Sequence, residues 1–421
     1  MVGISKPHFK DLLVWSRLKD RLSWYYAVST NTMPAKYLIC KRIRLDESVN
    51  LNDSSEDELW HELERLTEEF LKVKYRILRK DIRLSDLAKA RPSLMDLCVE
   101  LTKRMLRHCN FCRWNCRVDR TKATKYGACK LDSISRVSSY FHHLGEEIVF
   151  RGVNGSGTIF FTSCNMRCAF CQNSDISTDR YNGIPVTPDS LALMVWQLRL
   201  EGCHNINWVG GEPTIHLHTI VEAISLLDSY PKDIRDASLI NADRGRWRRD
   251  VKNALYEGEF NAPQLWNSNF FMSNEALKIL RLLMDVWLPD LKFGQGRCAL
   301  SIARTPWYWD TVTRNIKMVY EWGEDMVIRH LIMPNHLECC TKPVLDWIAE
   351  NMRDVPINIM DQYYPDNLCD PCSPRYDPYY KELARPPSKE EILEAYRYAK
   401  GLGLNFEILS FEDKNVSGLR V

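Results

Sequence analysis

Cys164, Cys168 and Cys171 stand in a CxxxCxxC spacing, with an aromatic residue, Phe170, directly before the third cysteine. Thiolates are the usual protein ligands of iron–sulfur clusters. Three of them cover three irons of a cubane and leave the fourth open to a ligand that is not protein. A structural zinc site needs four ligands, and no fourth Cys or His follows at close range. His142 and His143 lie upstream, across the apolar run that enters the motif. A disulfide framework fits poorly in a large chain with no secretory signal.

A second set, Cys109, Cys112, Cys116 and Cys129, puts four thiols within twenty-one residues, with Gly127 offering a turn before the last. That is a full tetrahedral set for zinc or a single iron, or for an auxiliary iron–sulfur cluster; spacing does not choose among them. A looser set, Cys369 and Cys372 with Cys298, Cys339 and Cys340, is expected to form a further metal site.

These residues need a scaffold. The run Gly157–Ser163 before the first motif reads as a buried strand, with the cysteines in the loop at its carboxyl end. The apolar runs, this one included, fall at Thr158–Thr162, Asn205–Val209, Ala237–Asn241, Pro263–Asn267, Val286–Leu291, Met326–Ile332 and Pro356–Met360. Helical patterns separate most of them, at Ser190–Leu200, Thr219–Leu227, Asn274–Leu283, Thr311–Trp322 and Lys342–Asn351. Strand–helix alternation predicts βαβ units and a parallel sheet, as a partial or open (β/α) barrel of six to seven repeats. In such barrels chemistry sits at the strands' carboxyl ends. Two glycines, Gly210 and Gly211, followed by Glu212, end the second run. Asn267 and Asn269 follow a later one, and Lys292 and Arg329 stand at two more. The glycines permit close approach of backbone to a ligand, though an ordinary strand-to-helix turn would use them equally. Asp361-Gln-Tyr363 follows the last run, as substrate contacts or as a buried polar cap.

The remainder divides into a helical extension at 1–104, the four-Cys segment at 105–150, the barrel at 151–365, and a tail at 366–421. The tail is expected to hold the Cys pair, a helix over Ser388–Leu402 and a closing strand over Leu404–Phe411. In the extension, Phe9–Val28, the run after Ser55-Glu-Asp-Glu58 (a capping box) and Leu94–Met105 carry helical apolar faces. With 421 residues, 45% hydrophobic and 27% charged, the chain reads as soluble and globular. Its net charge of +2 gives no global case for nucleic acid or an anionic membrane surface. No apolar run is long enough to span a bilayer. Fifteen cysteines gathered in clusters favour metal ligation in a reducing compartment, so a cytoplasmic location is expected. A basic run, Arg244–Arg249, reads as a solvated loop.

CxxxCxΦC after a first barrel strand resembles the radical S-adenosylmethionine (radical SAM) superfamily. More narrowly, Ser156-Gly-Thr-Ile-Phe-Phe-Thr-Ser-Cys-Asn-Met-Arg-Cys-Ala-Phe-Cys-Gln-Asn173 resembles the uncharacterised proteins similar to pyruvate formate-lyase-activating enzyme, over about residues 105–410. The resemblance implies an α/β fold, a partial (β/α)6-type radical SAM barrel with a helical extension and a Cys-rich segment. It implies a 4Fe–4S cluster on Cys164, Cys168 and Cys171. S-adenosylmethionine would be held by Phe170, Gly210, Gly211, Glu212, Asn267, Asn269, Lys292 and Arg329, the last two aimed at its carboxylate. The implied reaction is reductive cleavage to methionine and a 5′-deoxyadenosyl radical, with hydrogen abstraction from a protein or peptide. The partner would be a flavodoxin- or ferredoxin-type reductant and the class oxidoreductase. Two alternatives stand beside it: a cobalamin-using radical methyltransferase, against which the missing DxHxxG motif argues, and an iron–sulfur or zinc protein without turnover. Histidine at the Asp361 position in the true activating enzymes sets this chain apart from them.

Overall fold

The computed structural model describes residues 9–228 and 252–411. The run Ala237–Asn241 and the basic stretch Arg244–Arg249 lie outside them.

Six parallel strands form the frame. They are β2 (Ser156–Phe161), β4 (Ile206–Gly210), β5 (Gln264–Ser268), β6 (Val286–Pro289), β7 (Ile328–Leu331) and β8 (Ile357–Met360). β2, β4, β5 and β6 pair in that order, β7 pairs with β8, and parallel bridges Trp287–Met326 and Asp290–Arg329 join the two sets. The order follows the chain, as right-handed crossovers through outer helices require. Those helices are α7 (Pro188–Leu200), α8 (Leu217–Ser225), α9 (Asn274–Leu283), α11 (Tyr308–Glu321) and α12 (Lys342–Met352). Every residue of β5 and β6 is buried. A sheet covered on both faces is therefore spelled as continuous apolar runs. The fold is the expected partial (β/α)6-type barrel.

An antiparallel strand missed by the sequence reading, β1 (Ser135–His143), lies along the outer edge of β2, with β3 (Ile184–Val186) beyond it. Its serines and histidines lack the apolar signature of the parallel strands. β1 leads through a turn into the short helix α6 (Ile148–Arg151).

The extension begins with α1 (Phe9–Leu18), α2 (Ser23–Ser29), α3 (Lys36–Cys40), α4 (Glu56–Leu78) and α5 (Leu94–Arg107). α4 starts on the capping box predicted at Ser55 and Glu58. The extension shares the main apolar core with the barrel. Trp24 Nε1 donates to Asp285 Oδ1 at 2.9 Å, the Tyr25 N–H to Asp325 Oδ2 at 2.7 Å, and Asn205 Nδ2 to Tyr25 Oη at 2.7 Å. Asp285, Asp325 and Asn205 each precede a strand. The extension thus seals the barrel's amino-terminal end, opposite the cysteine loop.

The expected closing strand is a correction. After α13 (Lys389–Gly401), the tail makes the helical turn α14 (Glu407–Ser410). Phe406 and Phe411 pack their rings on Tyr396, 5.8 and 4.8 Å between centroids. The edge of β8 is satisfied piecemeal, its Ile357 N–H by Asn405 O and its Ile359 N–H by Ser410 Oγ. Ring packing in the tail won over strand pairing.

Candidate metal and cosubstrate site

β2 runs into Ser163, whose backbone takes the left-handed conformation at φ 63° and turns the chain into the cysteine loop. A side chain in that region costs roughly 1–3 kcal/mol and persists where its surroundings fix it. Here Ser163 N–H donates to Ile176 O at 2.8 Å, and the glycine turn after β4 closes over the other side. A Cβ on Gly211 would lie 1.7 Å from Ser163 O, and one on Gly210, at φ +120°, 2.2 Å from Phe161 N. Only glycine lets the end of β4 lie against the entry to the cysteine loop. The structure thus supplies a steric reason for both glycines.

Cys164, Cys168, Cys171, Phe170, Gly210, Gly211, Glu212, Asn267, Asn269, Lys292 and Arg329 all line one cavity of about 450 Å³ at the strands' carboxyl ends. Asp361 and Gln362 line it as well; Tyr363 stands behind, its hydroxyl donating to Leu383 O and its ring 5.7 Å from Phe170. Cys164 Sγ accepts the Met166 N–H at 3.3 Å, and Cys171 Sγ lies 3.3 Å from Ser177 Oγ. Burial pushes all three thiols up, Cys168 to about 12. The three are therefore neutral until a metal displaces their protons. Lys292 Nζ pairs with Asp290, and its positive charge faces Cys168 and Cys171; these partners outweigh the burial that opposes it.

Glu212 is buried and fully engaged. It accepts from Ser268 Oγ at 2.7 Å, the Asn269 N–H at 3.0 Å and the Thr214 N–H at 3.1 Å. It ties the end of β4 to that of β5. Asn269 in turn points Nδ2 at Asn165 Oδ1, 2.7 Å away, and at Cys164 Sγ, 3.7 Å away.

Sequence reasoning missed the acidic pair Glu146–Glu147, in the turn before α6. Arg329 pairs with both, with Nε 2.7 Å from Glu147 Oε1. Asn207 on β4 and Asn358 on β8 donate to Glu146 and Glu147 at 2.6 and 2.9 Å. Arg329 Nη1 also reaches Asn267 Oδ1 at 3.4 Å. Side chains from three strands thus converge on two carboxylates in the cavity wall, and Asn267 of a fourth joins through Arg329. Two adjacent glutamates carry no sequence signal for this, since their strand partners are 61 to 211 residues away.

The four-Cys segment packs against the cysteine loop. Trp114 Nε1 donates to Asn165 O at 2.7 Å, and Arg167 bonds Cys164 O and Ala128 O at 2.6 and 2.7 Å. Cys109, Cys112 and Cys129 are buried and Cys116 partly so. Cys109 accepts the Phe111 N–H, Cys112 the Trp114 N–H and Cys116 the Ala128 N–H. Backbone amides aimed at sulfur in this way suit thiolates. Cys369 is buried beside Tyr363 and Cys372 is exposed; neither joins Cys298, Cys339 and Cys340. That part of the expected third set is corrected.

A family model described as the radical SAM superfamily matches residues 158–348. The uncharacterized protein MJ0674 of Methanocaldococcus jannaschii is 33% identical over 391 residues, spanning 91% of this chain and 98% of that protein. Solved structures of Streptococcus suis SuiB are similar at TM-scores of 0.38, bound to the precursor peptide SuiA, and 0.39, bound to S-adenosylmethionine. Their identities are 13% and 12%; 58% of this chain is covered, against 46% and 48% of theirs, so the chain spans about half the length of SuiB. No helix among the described residues is long and apolar enough to cross a membrane.

Proposed function

The chain belongs to the radical SAM superfamily, whose members are enzymes and whose membership implies a 4Fe–4S cluster and S-adenosylmethionine; from that premise we propose that it cleaves S-adenosylmethionine reductively and abstracts hydrogen from a protein or peptide. The carrying observation is the convergence of three thiols and residues from four later strand ends on one cavity. The donor set fits the group: three thiols on one loop, Cys164 buried and Cys168 and Cys171 partly so, on the wall facing Lys292, with Asn269 as the polar neighbour of Cys164. When bound there, the cluster supplies the electron that splits the sulfonium into methionine and a 5′-deoxyadenosyl radical.

The chain's own residues do the positioning. Cys164, Cys168 and Cys171 hold the cluster. Gly210 and Gly211 bring the β4 backbone beside it, and Glu212 fixes Ser268 and Asn269 at the ribose side. Lys292 meets the cosubstrate carboxylate, a role its charge and its place beside the thiols support. Arg329, already shared between Glu146 and Glu147, acts through them as a positioning residue. Phe170 and Tyr363 shield the loop from water. A cavity of about 450 Å³ is of the size one drug-sized ligand fills. The substrate therefore reaches in by one side chain or a chain end, past Asp361 and Gln362. This supports kinship with the proteins similar to pyruvate formate-lyase-activating enzyme. Cys109, Cys112, Cys116 and Cys129 hold a second metal or auxiliary cluster, a reading supported by the backbone amides beside the sulfurs of Cys109, Cys112 and Cys116.

The test is anaerobic reconstitution with iron and sulfide, then assay of 5′-deoxyadenosine with a strong reductant. Expected is about four iron and four sulfide per chain beyond the second site. Product is expected in the wild type and absent in Cys164→Ala, Cys168→Ala or Cys171→Ala. Retained product in any of the three ends the proposal.

A further inference from the structure

Two loops at the carboxyl ends of β6 and β7 bring four soft donors together, separate from the cluster loop and from the four-Cys segment. Cys298 starts α10 (Cys298–Ala303) on the first loop. His336, Cys339 and Cys340 come from the second, where the chain makes a π-helical turn over Leu337–Thr341 before α12. Such turns are rare and cluster at functional positions. Among the described residues, this is the one set of three or more Cys, His, Asp or Glu whose ligand atoms all lie within 4.8 Å of one another.

We infer that Cys298, His336, Cys339 and Cys340 bind a single tetrahedral divalent ion, zinc by its ligand set. At Zn–S of about 2.3 Å and Zn–N of about 2.0–2.1 Å, tetrahedral geometry puts sulfurs about 3.8 Å apart and sulfur about 3.6 Å from nitrogen. Cys339 Sγ and Cys340 Sγ are 3.9 Å apart. His336 Nδ1 lies 3.7 Å from Cys298 Sγ, 3.1 Å from Cys339 Sγ and 4.0 Å from Cys340 Sγ. These four separations lie within about 0.5 Å of the tetrahedral values, and all the ligand atoms lie within 4.8 Å of one another.

The surroundings are those of a ligand set. His336 Nε2 is buried without a hydrogen bond, with Glu382 Oε1 3.5 Å away; a small rotation of that exposed side chain would bring a carboxylate onto the far ring nitrogen, the arrangement that fixes the tautomer of a metal-bound histidine. The Gly294 N–H donates to Cys340 Sγ, and a Cβ on Gly294 would lie 2.3 Å from Cys339 O, so the first loop closes tightly on the π turn. His336 and Cys340 are buried, while Cys298 and Cys339 are partly exposed, which leaves the ion a way in. The ion clips the loop that carries Lys292 to the loop after β7. Tyr308 links the two centres: its hydroxyl accepts the Lys292 N–H at 3.0 Å, and it lies within electrostatic reach of both Cys168 and Cys340.

The test is the metal content of the full chain purified anaerobically, together with the alkylated mass under non-reducing conditions. Cys298→Ser and His336→Ala are each expected to lose one zinc per chain while iron and sulfide stay at the wild-type level. His336→Cys, which restores four ligands, should keep the zinc, as should a chain with Cys164, Cys168 and Cys171 all replaced by alanine. That last variant separates this inference from the proposed function, since it removes only the main cluster. Zinc content unchanged in both Cys298→Ser and His336→Ala overturns the site. So does loss of iron with sulfide in place of zinc, or a wild-type mass showing Cys339 or Cys340 in a disulfide.

Discussion

Gly211→Ala tests whether the glycine turn exists to admit the cysteine loop. The added Cβ would stand 1.7 Å from Ser163 O and 2.5 Å from Ser163 C, backbone atoms with no flexible side chain to yield. Real Cβ contacts stay beyond 3.0 Å, so the carbonyl immediately before Cys164 must retreat by more than an ångström. Overpacking of this kind costs about 1–3 kcal/mol, which a large shared core absorbs without unfolding. Function is hit harder. A misplacement of about 1 Å at a reacting centre costs about 10²-fold in rate. The measurement is 5′-deoxyadenosine formation per reconstituted chain, alongside iron and sulfide content and a urea midpoint. We expect rates about a hundredfold down, with the far-ultraviolet circular dichroism of the wild type. Gly401→Ala, at the end of α13 with nothing within 4 Å of the new Cβ, is the control and should match wild type. If Gly211→Ala keeps wild-type rate and iron, the steric argument is wrong.

Three further outcomes follow from the same contacts. Lys292→Met removes the cation facing Cys168 and Cys171; a hydrogen bond to a charged group contributes about 1.5–3 kcal/mol, so S-adenosylmethionine should bind about 10- to 100-fold more weakly by equilibrium dialysis with iron content unchanged. His330, fully buried with its ring nitrogens on Leu291 O and Thr341 Oγ1, is pulled down to about 4 by burial. An unfolded histidine titrates near 6.5, so the unfolded chain binds more protons between those values and stability falls as pH drops through that window. The wild type should lose about 1 kcal/mol more than His330→Gln between pH 7 and pH 5.5, read from urea midpoints, and equal losses would refute it. Trp24→Phe takes one donor from buried Asp285, leaving the Lys36 N–H at 3.1 Å on the same oxygen. It should destabilise by about 1–3 kcal/mol while leaving S-adenosylmethionine affinity unchanged, because the contact lies on the barrel's opposite end.

The parts of this molecule legible in sequence are those whose signal is local. Continuous apolar runs located six parallel strands within a residue or two, because strands buried on both faces have no polar positions to blur them. The Ser55–Glu58 cap was readable because both partners sit three residues apart. β1 was not, since an outer antiparallel strand spelled Ser135-Arg-Val-Ser-Ser-Tyr-Phe-His-His143 has no continuous apolar run. The tail failed differently: Leu404, Phe406 and Leu409 are buried, but Phe406 stacks on Tyr396, Leu409 joins a separate apolar cluster with Leu288 and Val327, and so short a stretch of apolar positions fits a strand or a helical turn equally.

The site divides along the same line. Residue types at strand ends were visible, yet their tasks depend on distant partners, and here the structure redistributes them. Arg329 was expected to face a carboxylate on a ligand; it faces two carboxylates of its own chain, and Asn207, Asn267 and Asn358 are drawn into the same network. An unpaired guanidinium so largely buried would cost several kcal/mol, so the barrel could carry Arg329 in the cavity wall only by supplying its counter-charges. Glu146 and Glu147 are those counter-charges, delivered by the turn between β1 and α6. That requirement also explains the extra antiparallel strand. β1 runs along the edge of β2 and ends where the pair must enter, so its register sets how deep the carboxylates reach. Shortening the turn at Leu144–Gly145 by one residue should withdraw Glu146 and Glu147 from Arg329 and loosen the cavity wall without touching a single thiol. Loss of S-adenosylmethionine affinity at full iron content is the expected signature. Full affinity in that variant would show that the wall does not depend on the acidic pair.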